Sequence, residues 1–118
     1  MCLYMKENLR GFELVRGRTV EKKNVAKIVD LLAETFQILG DSSRLHIVCA
    51  IADEEQNVGD IAKKLKMSQP AVSHHLRMLR NLKLVSLRKE GRTTYYRLDD
   101  RHIHRLIAEG VEHVEEFL

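Results

Sequence analysis

Residues 57–85 read "NVGDIAKKLKMSQPAVSHHLRMLRNLKLV", and this stretch decides the fold. "VGDIAKKL" places Val58, Ile61, Ala62 and Leu65 on one helical face. "KMS" is a turn of the length that joins two helices in a helix-turn-helix. Ser68 is a natural N-cap, and Pro70 falls in the first turn of the next helix, where a missing N–H costs nothing. That second helix keeps Val72, Leu76 and Leu79 inward, with Leu82 continuing the apolar side. Gln69, Ser73, His74, Arg77 and Arg80 are left outward. Such a face suits a DNA major groove, where Gln and Arg pair with base edges and hydroxyls or cations hold phosphates. A plain helical hairpin would share the apolar spacing, so the sequel matters.

The next residues read "LVSLRKEGRTTYYRL" and alternate on either side of "EG". Val85 and Leu87 precede the turn; Thr94, Tyr96 and Leu98 follow it. That pattern predicts a two-stranded hairpin closed by Gly91. Arg88, Lys89 and Arg92 cluster toward its tip, where they would meet phosphates beside the groove. Helix, turn, helix and a basic hairpin together make a winged helix-turn-helix, mainly α with a small β wing.

Charge distribution agrees. Residues 58–98 hold ten Lys/Arg against Asp60 and Glu90 alone, a balance of +8. Residues 1–57 balance to −1 and residues 99–118 to −4. A basic middle between neutral and acidic ends marks a polyanion-binding surface. At 118 residues the length suits one domain, taken as residues 24–118 behind a flexible polar leader, residues 1–23. No apolar run approaches the roughly 18 residues of a membrane span, and no signal-peptide pattern opens the chain. Two cysteines, Cys2 and Cys49, make no disulfide framework. A cytoplasmic protein is expected.

Upstream, "NVAKIVDLLAETFQILG" sets Val25, Ile28, Leu31, Leu32, Phe36 and Leu39 at helical spacing, with Gly40 as a stop. "DSSRLHIVCAIADE" offers Asp41 or Ser42 as an N-cap ahead of Leu45, Val48, Cys49 and Ile51 on a short buried helix. Cys49 is expected in the core as a small hydrophobe.

With these elements in place, residues 25–117 resemble the ArsR/SmtB family of metal-responsive winged-helix repressors. The resemblance rests on A-V-S-H-H-L-x-x-L at residues 71–79, G-R-x-x-Y-Y at residues 91–96, and the upstream "AETFQILGDSSRLHIVCAI". It implies a homodimer, formed through the first and last helices, that occupies operator DNA and releases it when an effector binds. Two-fold symmetry fits half-sites about one helical turn apart.

The dimer gives meaning to "DDRHIHRLIAEGVEHVEEF", residues 99–117. His113 and Glu116 stand three apart and share a helix face. His102 and His113 stand eleven apart, nearly in phase but roughly 16 Å apart along the axis. One helix cannot wrap both ends around an ion whose bonds are about 2 Å long. Against an antiparallel symmetry mate, the Asp100/His102 end of one chain meets the His113/Glu116 end of the other. Small Ala108 and Gly110 near the midpoint favour a close crossing. D-x-H, ten residues, H-x-x-E also matches the family's interfacial zinc motif, implying Asp100, His102, His113 and Glu116 as ligands. Two imidazoles and two carboxylates suit tetrahedral Zn²⁺, and Co²⁺ would accept the same set. Ni²⁺ would need further donors, from the N-terminus or His104. The resemblance also implies that the free ring nitrogen of His113 donates to a backbone carbonyl around Leu82 and Lys83.

The sequence departs from the family's thiolate sensors, which carry a Cys-x-Cys where this chain has "EEQNVGDIA". A soft-metal site there is excluded. His74 and His75 point to different helix faces and make poor co-ligands. His46 and His104 are expected at the surface. Two rival classes stand beside the metal reading. One is a winged-helix regulator answering to redox, through Cys2 and Cys49, or to a partner protein. The other is a small metal hydrolase, which the lack of a nucleophile or base beside an open metal position argues against.

Overall fold

The computed structural model describes Glu13–Leu14, Arg18–Thr19 and residues 22–118. Most of the expected leader, including Cys2, lies outside the described residues. Two compact units divide the chain, one up to residue 37 and one from residue 38 onward.

In the first unit β1 (Glu13–Leu14) and β2 (Arg18–Thr19) pair antiparallel, with Glu13 opposite Thr19. Helix α1 (Lys22–Leu39) follows and carries its last residues into the second unit. Val25 is buried, yet Ile28, Leu31, Leu32 and Phe36 are all exposed. The apolar face of α1 is therefore largely uncovered in the single chain, with Leu31 at 52% and Phe36 at 49% exposure.

The second unit holds α2 (Ser42–Ile51), β3 (Gln56–Asn57), α3 (Val58–Leu65), α4 (Gln69–Asn81), β4 (Val85–Glu90), β5 (Thr93–Leu98) and α5 (Arg101–Glu115). Asp41 caps α2 by accepting from the Arg44 N–H at 3.0 Å. That hydrogen bond holds the Asp41 carboxyl below the usual range. Ile47, Val48 and Ile51 are buried, while Leu45 and Cys49 are exposed. The expected core position of Cys49 is thus corrected: Ile47 takes the inward place, one turn before Ile51, and Cys49 looks away. Packing around its sulfur still pushes the thiol pKa up.

Asn57 caps α3 by accepting from the Asp60 N–H at 2.8 Å. The helix ends at Lys66, whose left-handed φ of 56° turns the chain, and the Met67 N–H bonds back to the Ala62 carbonyl at 3.0 Å. Ser68 then caps α4, accepting from the Ala71 N–H at 3.2 Å. At the other end Lys83 adopts φ 57°. Its N–H reaches the Arg80 carbonyl at 2.9 Å and the Leu84 N–H reaches Leu79 at 3.0 Å. This is the paired bonding of a Schellman ending, and it drops Leu84 and Val85 into the core to begin the wing.

The wing is a two-residue hairpin in which Glu90 faces Thr93. Gly91 takes φ +62°, and no positive φ occurs at Arg92. Glycine at the first turn position is what a II′ hairpin requires. One strand was not foreseen: β3 pairs with β5, Gln56 opposite Tyr96, giving the order β3-β5-β4.

Ile47, Val48, Ile51, Ile61, Val72, Leu76, Leu79, Leu84 and Val85 form the centre of one core, with Leu39 and Leu98 at its margin. Each large side chain buried there contributes about 1.5–3 kcal/mol. The first half of α5 packs on this core through Ile103, Leu106 and Ile107. Its second half does not: Val111 and Val114 are exposed, as is Phe117 just past the helix end, to 69%.

Candidate nucleic-acid interface and paired ligand half-sites

Buried Val72, Leu76 and Leu79 fix the roll of α4. Gln69, Ser73, Arg77 and Arg80 consequently share an exposed stripe, about 80° wide at 100° per residue. His74 is exposed on its flank, and His75 turns into a half-buried place with no partner for its Nδ1 among the described residues. Ser68 spends a lone pair on its cap, leaving its hydroxyl proton free to donate. Each side chain expected on the outward face of the helix is there.

The wing divides its basic residues between two faces, because opposite residues in the register share a face. Lys89 stands opposite Thr94, and Arg92 sits in the turn. Both are exposed. Arg88, opposite Tyr95, is engaged within the chain. Its Nε donates to Glu55 Oε1 at 2.8 Å, its Nη2 donates to the same oxygen, and its Nη1 donates to Glu90 Oε2 at 2.8 Å. Its guanidinium lies 4.7 Å from the Tyr95 ring centroid. Sequence reasoning missed Glu55 altogether.

Asp100 is the N-cap of α5, accepting from the Ile103 N–H at 3.0 Å through Oδ1. Its other oxygen, Oδ2, lies 3.5 Å from His102 Nδ1. The backbone hydrogen bond first, and His102 second, hold the Asp100 carboxyl below its usual range. One carboxylate and one imidazole thus meet at the start of the helix. At its end, His113 and Glu116 occupy the last turn and cap position, both exposed. His113 packs edge-on against Phe117, and among the described residues it makes no hydrogen bond within the chain. The expected link from its ring to a carbonyl around Leu82 and Lys83 is absent from the single chain.

The structure brings Asp100 to His102 and leaves His113 and Glu116 at the opposite end of the helix. Among the described residues no three His, Cys, Asp or Glu side chains gather into a ligand set. His104 turns its Nε2 to Asp53 Oδ1 at 3.2 Å, 51 residues back in the chain, and His46 turns its Nδ1 to the Ser42 carbonyl at 2.7 Å.

Fold and side-chain placement define a winged helix-turn-helix regulator, with a polar recognition helix and a partly basic wing. The family description "Bacterial regulatory protein, arsR family" matches residues 41–86. A transcriptional repressor SmtB homolog from Synechocystis sp. is 45% identical over 85 residues, which cover 72% of this chain and 64% of that protein. The cadmium resistance transcriptional regulatory protein CadC homolog from Staphylococcus aureus is 38% identical over 97 residues, 80% of each chain. Among solved structures, the homodimeric winged helix-turn-helix DNA-binding domain Mb0332 from Mycobacterium bovis superposes with a TM-score of 0.75 at 29% identity, covering 87% of this chain and 93% of that one. The chain belongs to the arsR family of bacterial regulatory proteins; it is a DNA-binding regulator and not an enzyme. No described helix is long and apolar enough to cross a membrane.

Proposed function

We propose that this chain is a homodimeric transcriptional repressor in the cytoplasm that releases operator DNA when a divalent transition metal, Zn²⁺ by ligand chemistry, binds between its last helices. The observation that carries the reading is the division of α5 into two half-sites. Asp100 and His102 meet at one end, and His113 and Glu116 stand at the other. Each half supplies one imidazole and one carboxylate, and neither can close a site alone. Antiparallel pairing of two α5 helices completes two sites, each taking Asp100 and His102 from one protomer with His113 and Glu116 from its partner. The donors fit: Asp100 turns Oδ2 toward His102 Nδ1 while Oδ1 caps the helix. Two nitrogen and two oxygen donors suit Zn²⁺ or Co²⁺.

The same pairing answers the uncovered apolar surface. Val111 and Val114 of α5 and Phe117 just beyond it are exposed in the single chain, as are Ile28, Leu31, Leu32 and Phe36 of α1. Both sets belong in a subunit interface. Ala108 and Gly110 leave room where the helices cross, since a Cβ on Gly110 would meet nothing within 4 Å among the described residues.

On DNA, Ser68, Gln69, Ser73, His74, Arg77 and Arg80 of each α4 face the major groove, and Lys89 and Arg92 of the wing meet phosphates. Bound metal ties the two α5 helices together and so prefers one dimer geometry. Coupling of about 1–3 kcal/mol between that geometry and operator affinity is enough for a switch, and it works equally in both directions. Gel shifts of wild type and His113→Ala, with and without Zn²⁺, test the reading. Zinc should release DNA from wild type and leave the variant bound; equal responses would contradict it.

A further inference from the structure

The Arg88 contacts are all made within the chain. Three nitrogens of its guanidinium are already donating, and two carboxylates flank it. Arg88, Glu55 and Glu90 together carry a net charge of −1, so the three as a group offer a phosphate no net attraction. The geometry also has a direction. Arg88 sits on β4, one edge of the sheet in the order β3-β5-β4. Its side chain crosses the ring of Tyr95 on the central strand and reaches Glu55, the residue just before β3 on the far edge. Two residues beyond Glu55, Asn57 ends β3 and caps α3, the first helix of the helix-turn-helix. The contact therefore spans the full width of the three-stranded sheet and ends on the segment that starts the DNA-reading unit. Arg97, opposite Ser86 on the same face, adds attraction for Glu55.

We infer that Arg88 is a positioning residue for DNA binding: held by Glu55 across the Tyr95 ring, it sets the wing against the helix-turn-helix so that Lys89 and Arg92 reach the backbone. This inference rests on the DNA-binding reading above, and it assigns Glu55 a part in recognition although an acidic group near DNA should oppose binding.

That contradiction in sign supplies the test. Full-length wild type, Glu55→Gln, Arg88→Gln and the double variant are titrated with a duplex that the wild-type protein has selected from a random-sequence pool. Circular dichroism confirms that each is folded, which exchanges at so exposed a pair should not disturb. Simple electrostatics has Glu55→Gln bind more tightly, by removal of a negative charge. The positioning role has Glu55→Gln and Arg88→Gln each bind about two- to fivefold more weakly, the scale of one exposed ion pair. It also has the double variant bind no more weakly than either single one, because both remove the same contact. Tighter or unchanged binding by Glu55→Gln, or additive losses in the double variant, would overturn the inference while leaving the DNA-binding reading intact. Failure of wild type to select any duplex would overturn both.

Discussion

Asp100 Oδ2 lies 3.5 Å from His102 Nδ1, while Oδ1 of the same carboxylate caps α5 at the Ile103 N–H. One side chain thus serves the fold with one oxygen and presents the other beside an imidazole. The two services separate by substitution. Asn caps a helix about as well as Asp, so Asp100→Asn should melt near wild type yet bind zinc at least about tenfold more weakly, since even outer partners of metal ligands are worth that much. Asp100→Ala should lose the same affinity and about 1 kcal/mol of stability besides. Calorimetric zinc titration beside urea unfolding reads both.

The uncovered apolar faces make a second expectation. Leu32 lies exposed on α1 and Val114 on α5. Leu32→Glu or Val114→Glu should shift the protein from dimer to monomer in sedimentation velocity, because burying an unpaired carboxylate costs several kcal/mol. A dimer undiminished by either change would place the interface elsewhere.

Core and surface cysteine part company in a third. Leu76 is fully buried beneath the recognition helix, so Leu76→Ala should cost about 2–5 kcal/mol in denaturant unfolding. Cys49 is exposed, so Cys49→Ser should stay within about 0.5 kcal/mol. Partial burial pushes its thiol pKa up, away from the thiolate that oxidises. Zinc-dependent DNA release should be unchanged in Cys49→Ser under air or reductant; a response lost with the thiol would favour redox control.

Acid stability should carry the mark of Asp41. Its folded pKa is lowered by the Arg44 N–H, so its stabilisation is fully present above the unfolded value of about 4. The contribution falls away as pH drops through the folded value. Asp41→Asn keeps the cap without the titration, so its stability should fall less steeply than wild type from pH 5 downward in urea unfolding.

Much of this architecture was legible in the sequence, for definite reasons. Val72, Leu76 and Leu79 repeat at helical spacing behind a Ser-x-Pro start, and polar residues fill the other side. The hairpin announced itself by alternation around Gly91. Elsewhere the signal was physically absent. Strand β3 has two residues, too few to show a period. Helix α2 contains "LHIVCAI", apolar on nearly every side, so periodicity could not choose between Ile47 and Cys49. The Arg88–Glu55 contact joins residues 33 apart in the chain, and only the pairing of β3 to β5 brings them together. The four proposed metal ligands were readable as types and spacings, because the axial rise of a helix alone sets them at two ends.

Shared ownership of the metal site is the claim on which the account turns, and mixed dimers measure it most directly. One protomer carries Asp100→Ala and His102→Ala; the other carries His113→Ala and Glu116→Ala. Each doubly substituted homodimer should bind no zinc tightly. In the purified heterodimer one complete set of four ligands is restored across the interface, so one Zn²⁺ should bind tightly per heterodimer by calorimetry. A heterodimer that binds none would contradict it.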